Sequence, residues 1–78
     1  MNKKQRNELE RIASLLEEVR FDLEEIRDEE DEKLDNIPDN LNGSDRYNDM
    51  WAVRDNLEEV IADLDNTIDN LRDNVINF

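Results

Sequence analysis

Carboxylates spaced by three and four residues are the feature of this sequence that could do chemistry. On the first predicted helix they share one face, where such spacing could hold a divalent cation: Asp22, Glu25, Asp28, Glu29 and Glu32. A Mg²⁺ site needs ligands that converge, and the second predicted helix offers no matching carboxylates that face inward. We therefore expect these side chains to face water and expect no metal site.

Other catalytic arrangements lack a necessary residue. The chain has no histidine, so the Glu-x-x-His pairs of di-iron bundles cannot form. The segment from Asp39 to Gly43 does not follow the ligand order of an EF-hand, and neither Ser14 nor Ser44 has a base to activate it as a nucleophile. We predict that the protein is not an enzyme and uses no cofactor.

The net charge limits the kinds of molecule that could bind this protein. The 78 residues carry a net charge of −13, and because residues 1–11 carry +2, the other 67 residues carry −15. Nucleic acid is excluded as a partner, since binding it depends on Lys and Arg at the phosphates, and a basic protein surface is favoured. The sequence has no cysteine and no apolar run long enough to span a membrane. We expect one small domain in the cytoplasm.

Two rows of acids at i+4 spacing are the candidate partner-binding residues. They are Glu24, Asp28 and Glu32 on the first helix, and Asp65, Asp69 and Asp73 on the second. Neighbours in a row are about 6 Å apart along the helix axis, comparable to the phosphates of one DNA strand. Such a rod could mimic nucleic acid and occupy a basic groove. The alternative is a solvated face that keeps a small protein soluble, although a net charge of magnitude about 2–8 suffices for that.

Apolar residues at alternating steps of three and four predict the helices that carry these rows. Helix one is predicted over residues 3–35, with the stripe Leu9, Ile12, Leu16, Val19, Leu23 and Ile26. Helix two is predicted over residues 44–76, with the stripe Met50, Leu57, Ile61, Leu64, Ile68, Leu71, Val75 and Phe78. Pairs such as Ile12 with Ile68 have numbers that sum to 80, as two antiparallel helices in one register would give. The predicted fold is an all-α, coiled-coil-like two-helix hairpin.

The loop of this hairpin is predicted over residues 36–43, which contain the only proline and the only glycine. Pro38 ends helix one because it disfavours helical geometry at Ile37. Ser44 is the expected N-cap of helix two. Arg54 interrupts the stripe of helix two, and we expect it to pair with Glu30 across the seam.

Three aromatic residues are further candidates for partner contact. Tyr47 and Trp51 lie at the start of helix two beside Met50, where they either close the loop end of the hairpin or form a binding site. Phe21 falls on the face of helix one opposite its apolar stripe. We expect Phe21 to be exposed and available to a partner.

A two-helix hairpin buries each seam residue only in part, so its burial does little more than offset the cost of ordering the chain. We therefore predict a homodimer that forms a four-helix bundle. The alternative is that the apolar face awaits a different protein.

The loop sequence resembles a group of small acidic proteins of bacteria and their phages. Residues 35–50 match a pattern like D-N-x-P-x-x-L-x-x-S-x-R-x-x-x-M, and residues 24–30 and 57–61 are similar too. Tyr47 departs from the group, which has a small residue there. The resemblance implies a phage-associated accessory protein without catalytic activity. It fits a phage-type inhibitor of a host defence or regulatory protein; the competing hypothesis is a structural homo-oligomer whose charge only provides solubility.

Overall fold

Two long helices make up nearly all of the computed structural model, which describes residues 1–41 and 43–78, with residue 39 as backbone only. Helix α1 spans Lys3–Asp35 and helix α2 spans Asp45–Leu71. A 3-10 turn, Asp39–Leu41, lies between them, and a π-helical turn, Arg72–Ile76, extends α2. The helices pack against each other as an all-α hairpin whose Cα atoms extend over 60 × 16 × 12 Å. Residue 42 of the predicted loop lies outside the described residues.

Local sequence accounts for the starts of both helices. The Asn2 side chain accepts a hydrogen bond from the Gln5 N–H at 2.8 Å, and the Gln5 side chain accepts one from the Asn2 N–H at 3.2 Å, which is a capping box for α1. The Ser44 hydroxyl accepts from the Tyr47 N–H at 3.1 Å, so Ser44 is the N-cap of α2, as predicted. Just before it, Gly43 has a φ of +84°, which favours glycine.

The seam of α1 differs from the prediction. Its buried residues are Ala13 and Leu34, whereas Ile12, Val19 and Ile26 are 39%, 48% and 48% exposed. The seam residues spaced by seven on α1 are therefore Ala13, Arg20, Arg27 and Leu34, instead of Ile12, Val19, Ile26 and Lys33. The predicted stripe of α1 was therefore wrong in part: Leu9, Leu16 and Leu23 are half-buried as seam residues, but the seam positions between them are each one residue later than predicted. On α2 the buried residues are Ile61 and Ile68, both in the predicted stripe.

The ion pairs between the helices do not follow the sum of 80 that is predicted for the apolar pairs. Three ion pairs between α1 and α2 join residues whose numbers sum to 85, and the two pairs made by Arg72 have sums of 82 and 89. Side chains lean towards the N-terminus of their own helix, and in an antiparallel pair this lean raises the sum whichever helix supplies the arginine. The ion pairs are thus centred on a sum of 85, five above the sum of the predicted apolar pairs.

The C-terminal end of the seam departs from a regular helix. The Asn77 N–H donates to the Arg72 carbonyl at 2.8 Å, a π-type hydrogen bond that accommodates one extra residue in the turn. As a result Ile76 is buried, while Val75 and Phe78 are exposed. The prediction that Val75 and Phe78 belong to the seam was therefore wrong.

Substitution of Ile68 and of Ile12, which are predicted to pair with each other, distinguishes the predicted seam of α1 from the observed one. Ile68 is 1% exposed, so Ile68→Ala should lower the free energy of unfolding by about 2–5 kcal/mol, or unfold the hairpin. Ile12→Ala should change it by less than about 1 kcal/mol in the monomer, because Ile12 is already exposed and alanine favours helix. Urea unfolding followed by circular dichroism at dilute protein concentration measures both. Equal losses would support the predicted seam through Ile12.

Candidate functional site

Four arginines pair with carboxylates across the seam, and we call them with their partners the arginine ladder. Arg27 Nη1 lies 3.1 Å from Glu58 Oε2, and Arg54 Nε lies 2.6 Å from Asp31 Oδ1. The other pairs join Arg20 to Asp65 and Arg72 to both Glu10 and Glu17. These arginine side chains are 22–30% exposed, so each is partly covered by the two helices that it joins.

The ladder lies on one face of the hairpin. On α1, Glu10 and Glu17 each follow a seam leucine by one residue, and on α2 Arg72 follows Leu71 in the same way. Because Arg72 pairs with both acids, the positions that follow the seam residues share one face in the two helices. The positions that precede the seam residues must then share the opposite face.

The predicted partner of Arg54 was wrong by one residue. Arg54 binds Asp31 on α1, while Glu30 accepts a hydrogen bond from Lys33 on its own helix at 3.0 Å. The one-residue shift of the α1 seam positions brings the position after Glu30 towards α2, which explains the change. The cross-seam role of Arg20 and Arg27 was missed altogether. Their spacing of seven, in phase with Ala13 and Leu34, is the signal that could have revealed it.

Hydrogen bonding in the ladder favours the charged forms of both partners. The hydrogen bond from Arg54 lowers the pKa of Asp31 below its usual value, and the same bond raises the pKa of Arg54. The pKa of Arg72 is raised chiefly by its hydrogen bond to Glu17. For Arg27 the main cause of its raised pKa is the hydrogen bond to Asp28, its neighbour in sequence.

The two predicted rows of acids meet at Arg20. This arginine binds Asp65, and its Nε lies 3.8 Å from Glu24 Oε1, so it links the first member of each row. Because the helices are antiparallel, the rows run from this point in opposite directions along the rod. The ion-pair sum of 85 matches residues 65, 69 and 73 of α2 to residues 20, 16 and 12 of α1.

The rows therefore form one continuous line, which we call the acidic line. It consists of Glu32, Asp28, Glu24, Asp65, Asp69 and Asp73, in that order along the rod. Its step is about 6 Å and its length about 30 Å. Each i+4 step also turns about 40° around its helix, so the line crosses obliquely from the outside of α1, over the ladder face, to the outside of α2.

The carboxylates of the acidic line differ in whether they form an ion pair with an arginine. Glu24 and Asp65 share Arg20, and Asp28 lies 3.0 Å from Arg27 Nη2. The other three members, Glu32, Asp69 and Asp73, are exposed and form no ion pair with any residue that the structure describes. The two ends of the line thus carry its unneutralised charge.

Along α1 between Arg11 and Lys33, and along the chain after Arg46, every cation belongs to the arginine ladder. On α1 the arginines between Arg11 and Lys33 are Arg20 and Arg27, and on α2 those after Arg46 are Arg54 and Arg72. All four belong to the ladder and turn towards the seam. The outward carboxylates of these stretches that the ladder arginines do not reach, such as Glu32, Asp69 and Asp73, therefore form no ion pair within the described residues.

Tyr47 and Trp51 lie at the loop end of the hairpin, whereas Phe21 shares a face of α1 with Glu24 and Asp28 of the acidic line. Tyr47 is half-buried and packs edge-to-face on Trp51, with ring centroids 6.4 Å apart and an interplanar angle of 78°. Tyr47 also lines an open groove of about 300 Å³ at the loop end, together with Ile37, Leu41 and Met50. Phe21 is 60% exposed on α1, in agreement with the expectation from its position.

Neither a cluster of possible metal ligands nor a membrane-spanning helix occurs in the described residues. No group of three or more acidic side chains there is arranged to hold a metal ion. No helix in the same residues combines the length and the apolar character that crossing a membrane requires.

No protein-family model matches the chain, and no curated protein or solved structure is significantly similar to it.

The lowered pKa of Asp31 predicts how the ladder responds to acid. A carboxyl whose pKa is lower in the folded state stabilises that state above its usual pKa, and the contribution is lost as the pH falls through the lowered value. Asp31→Asn should therefore destabilise the hairpin at neutral pH, and the difference from wild type should shrink below about pH 4. Urea unfolding across this pH range measures the difference.

Asp69→Asn is the matched control, because it removes the same charge from an exposed acid of α2 outside the ladder. Acidification relieves the general repulsion in every variant, so only the difference between variants reports on the ion pair. A constant difference between wild type and Asp31→Asn at all pH values would contradict the role of Arg54.

Proposed function

We propose that this protein is a non-enzymatic acidic binding module that uses the acidic line to engage a basic groove on another protein. The observation that carries the proposal is the joining of both rows into one oblique line, with the nearby arginines turned into the seam. Regularly spaced negative charge along a rigid rod imitates the charge pattern of a nucleic-acid strand. The proposed partner is accordingly a protein with a nucleic-acid-binding groove.

The biological setting that we propose comes from the loop resemblance. Small acidic proteins of phages are the group that the sequence at residues 35–50 resembles. An inhibitor that occupies the groove of a host defence or regulatory protein fits this group and the acidic line together. The cytoplasm, where such host proteins work, is the compartment that we propose for it.

A structural homo-oligomer, with charge that serves only for solubility, is the second candidate. The observation that favours it is the exposure of Ile12, Val19 and Ile26, which a dimer in the form of a four-helix bundle would cover. Salt separates the two functions. Binding through charge weakens steeply as ionic strength rises, whereas association through apolar side chains is unaffected or strengthened.

Neutralising the free ends of the acidic line tests the binding proposal. The test variant is Glu32→Gln/Asp69→Asn/Asp73→Asn. The control is Glu29→Gln/Asp49→Asn/Asp63→Asn, which removes the same three charges from exposed positions outside the line. The immobilised chain is used to capture proteins from a bacterial lysate at low salt, and each captured protein is then tested for competition by duplex DNA.

We expect the captured proteins to be basic, to be displaced by duplex DNA, and to lose affinity steeply with salt. The test variant should bind about tenfold more weakly than wild type, since three exposed charge contacts are lost, while the control stays close to wild type. If both variants weaken equally, or DNA does not compete, net charge alone governs binding and the mimicry proposal fails.

A further inference from the structure

Half of the large apolar side chains that are exposed in the described residues lie on one face of the hairpin. Four of them on α1 and two on α2 form what we call the apolar stripe: Ile12, Leu15, Val19, Ile26, Val53 and Val60. On α1, three members directly precede the seam residues Ala13, Arg20 and Arg27, and on α2 Val53 and Val60 precede Arg54 and Ile61. These are the positions that lie on the face opposite the arginine ladder.

The register of the helices joins the two halves of the stripe. By the ion-pair sum of 85, Val60 matches residue 25 of α1, next to Ile26, and Val53 matches residue 32. The stripe therefore runs obliquely from the first half of α1 to the first half of α2. It covers about 20 residue levels, or about 30 Å, and its midpoint near residue 22 is close to the middle of the rod.

We propose that the apolar stripe is the docking surface for a second copy of this chain. Because the stripe is centred on the rod, a two-fold axis in the plane of this face can superimpose one stripe on the other, as an isologous interface requires. The face is 60 Å long and 16 Å wide, measured between Cα atoms. The whole face, with the apolar stripe along about half of its length and polar side chains around it, offers on the order of 1,000 Å², compared with the ~800 Å² that each partner contributes to a standard interface.

The width of apolar surface on α1 also fits a second copy. In a four-helix bundle each helix contacts two neighbours, so it buries a wider stripe than the two positions per heptad of a simple pair. Helix α1 uses Leu16 and Leu23 in the hairpin seam and retains Ile12, Val19 and Ile26 on the adjoining side. The members of the stripe are all aliphatic, whereas hot spots for other proteins are enriched in Trp, Tyr and Arg.

Charge makes this association dependent on salt. Each copy carries a net charge of −13, and Asp22 and Asp63 lie on the same side of the seam as the stripe. Two copies therefore repel each other until counter-ions screen them, and dimerisation strengthens as salt is added. The dimer does not require a partner on the acidic line, and it leaves both arginine-ladder faces and both acidic lines outward.

Sedimentation equilibrium of the wild-type chain tests the dimer directly. The mass should rise from 9.3 kDa towards twice that value with protein concentration, and more readily at about 1 M than at about 0.1 M salt, where the Debye lengths are ~3 and ~10 Å. The thermal midpoint should rise with concentration in parallel. A wild-type mass that stays at 9.3 kDa up to high concentration in high salt would overturn the proposal.

The double variant Val19→Gln/Val60→Gln locates the interface. Glutamine adds no charge and has a higher helix propensity than valine, and both positions are exposed in the hairpin, so the monomer should remain folded. The dissociation constant should rise about tenfold or more. Phe21→Gln, which removes an exposed apolar side chain from another face, should leave it unchanged. A dimer that the double variant does not weaken would place the interface elsewhere.

Discussion

The pairing of arginine with carboxylate across the seam is the interaction on which the surfaces of this hairpin depend. Arg20 and Arg27 occupy seam positions of α1 that the apolar pattern alone would give to Val19 and Ile26. Once they turn inward to reach Asp65 and Glu58, the preceding residue at each place must turn out. This orientation of α1 exposes the apolar stripe and places Arg20 and Arg27 at the seam. The acidic line then crosses the face opposite the apolar stripe.

The arginine ladder determines which faces of the two helices meet, but it contributes little to the free energy of folding. Its carboxylates remain 37–52% exposed, and ion pairs with this access to water contribute only about 0–1 kcal/mol each. Arg20 Nε is buried without a hydrogen-bond partner, which costs free energy that an apolar residue would not. The apolar core that opposes this cost consists of Ala13, Leu34, Ile61, Ile68 and Ile76. A core of this size leaves the hairpin dependent on further burial, and the apolar stripe is the surface that can supply it.

Sequence reasoning succeeded where one residue type has one geometric consequence. Pro38 and Ser44 mark the ends of the helices because their backbone requirements are local, and the seam of α2 from Leu57 to Leu71 follows from a single unbroken apolar period. The seam of α1 could not be found in the same way, since Leu9, Leu16 and Leu23 belong equally to two overlapping stripes. The choice between these stripes depends on arginines that meet partners on the other helix, which one-dimensional periodicity does not record.

The candidate site could likewise be predicted from the sequence only in part. Each acidic row was visible as an i+4 repeat, but their union into one line depends on the ion pairs that Arg20 makes with both rows, which the apolar pattern does not record. The π-turn at Arg72–Ile76 was also beyond sequence reasoning, because no residue there has a strong preference for that geometry. It nevertheless matters, since it carries Ile76 into the seam next to the end of the acidic line at Asp73.

The placement of the acidic line and the apolar stripe on different faces has a physical consequence for how the chain behaves. Both surfaces can be occupied at once, because the ladder face and the stripe lie on opposite sides of the seam. Ionic strength acts on them in opposite directions: screening weakens attraction to a basic groove and relieves repulsion between two copies of net charge −13. A basic partner would itself neutralise part of that charge, so its binding should lower the electrostatic cost of bringing a second copy to the apolar stripe. Charge thus couples two surfaces that share no side chain.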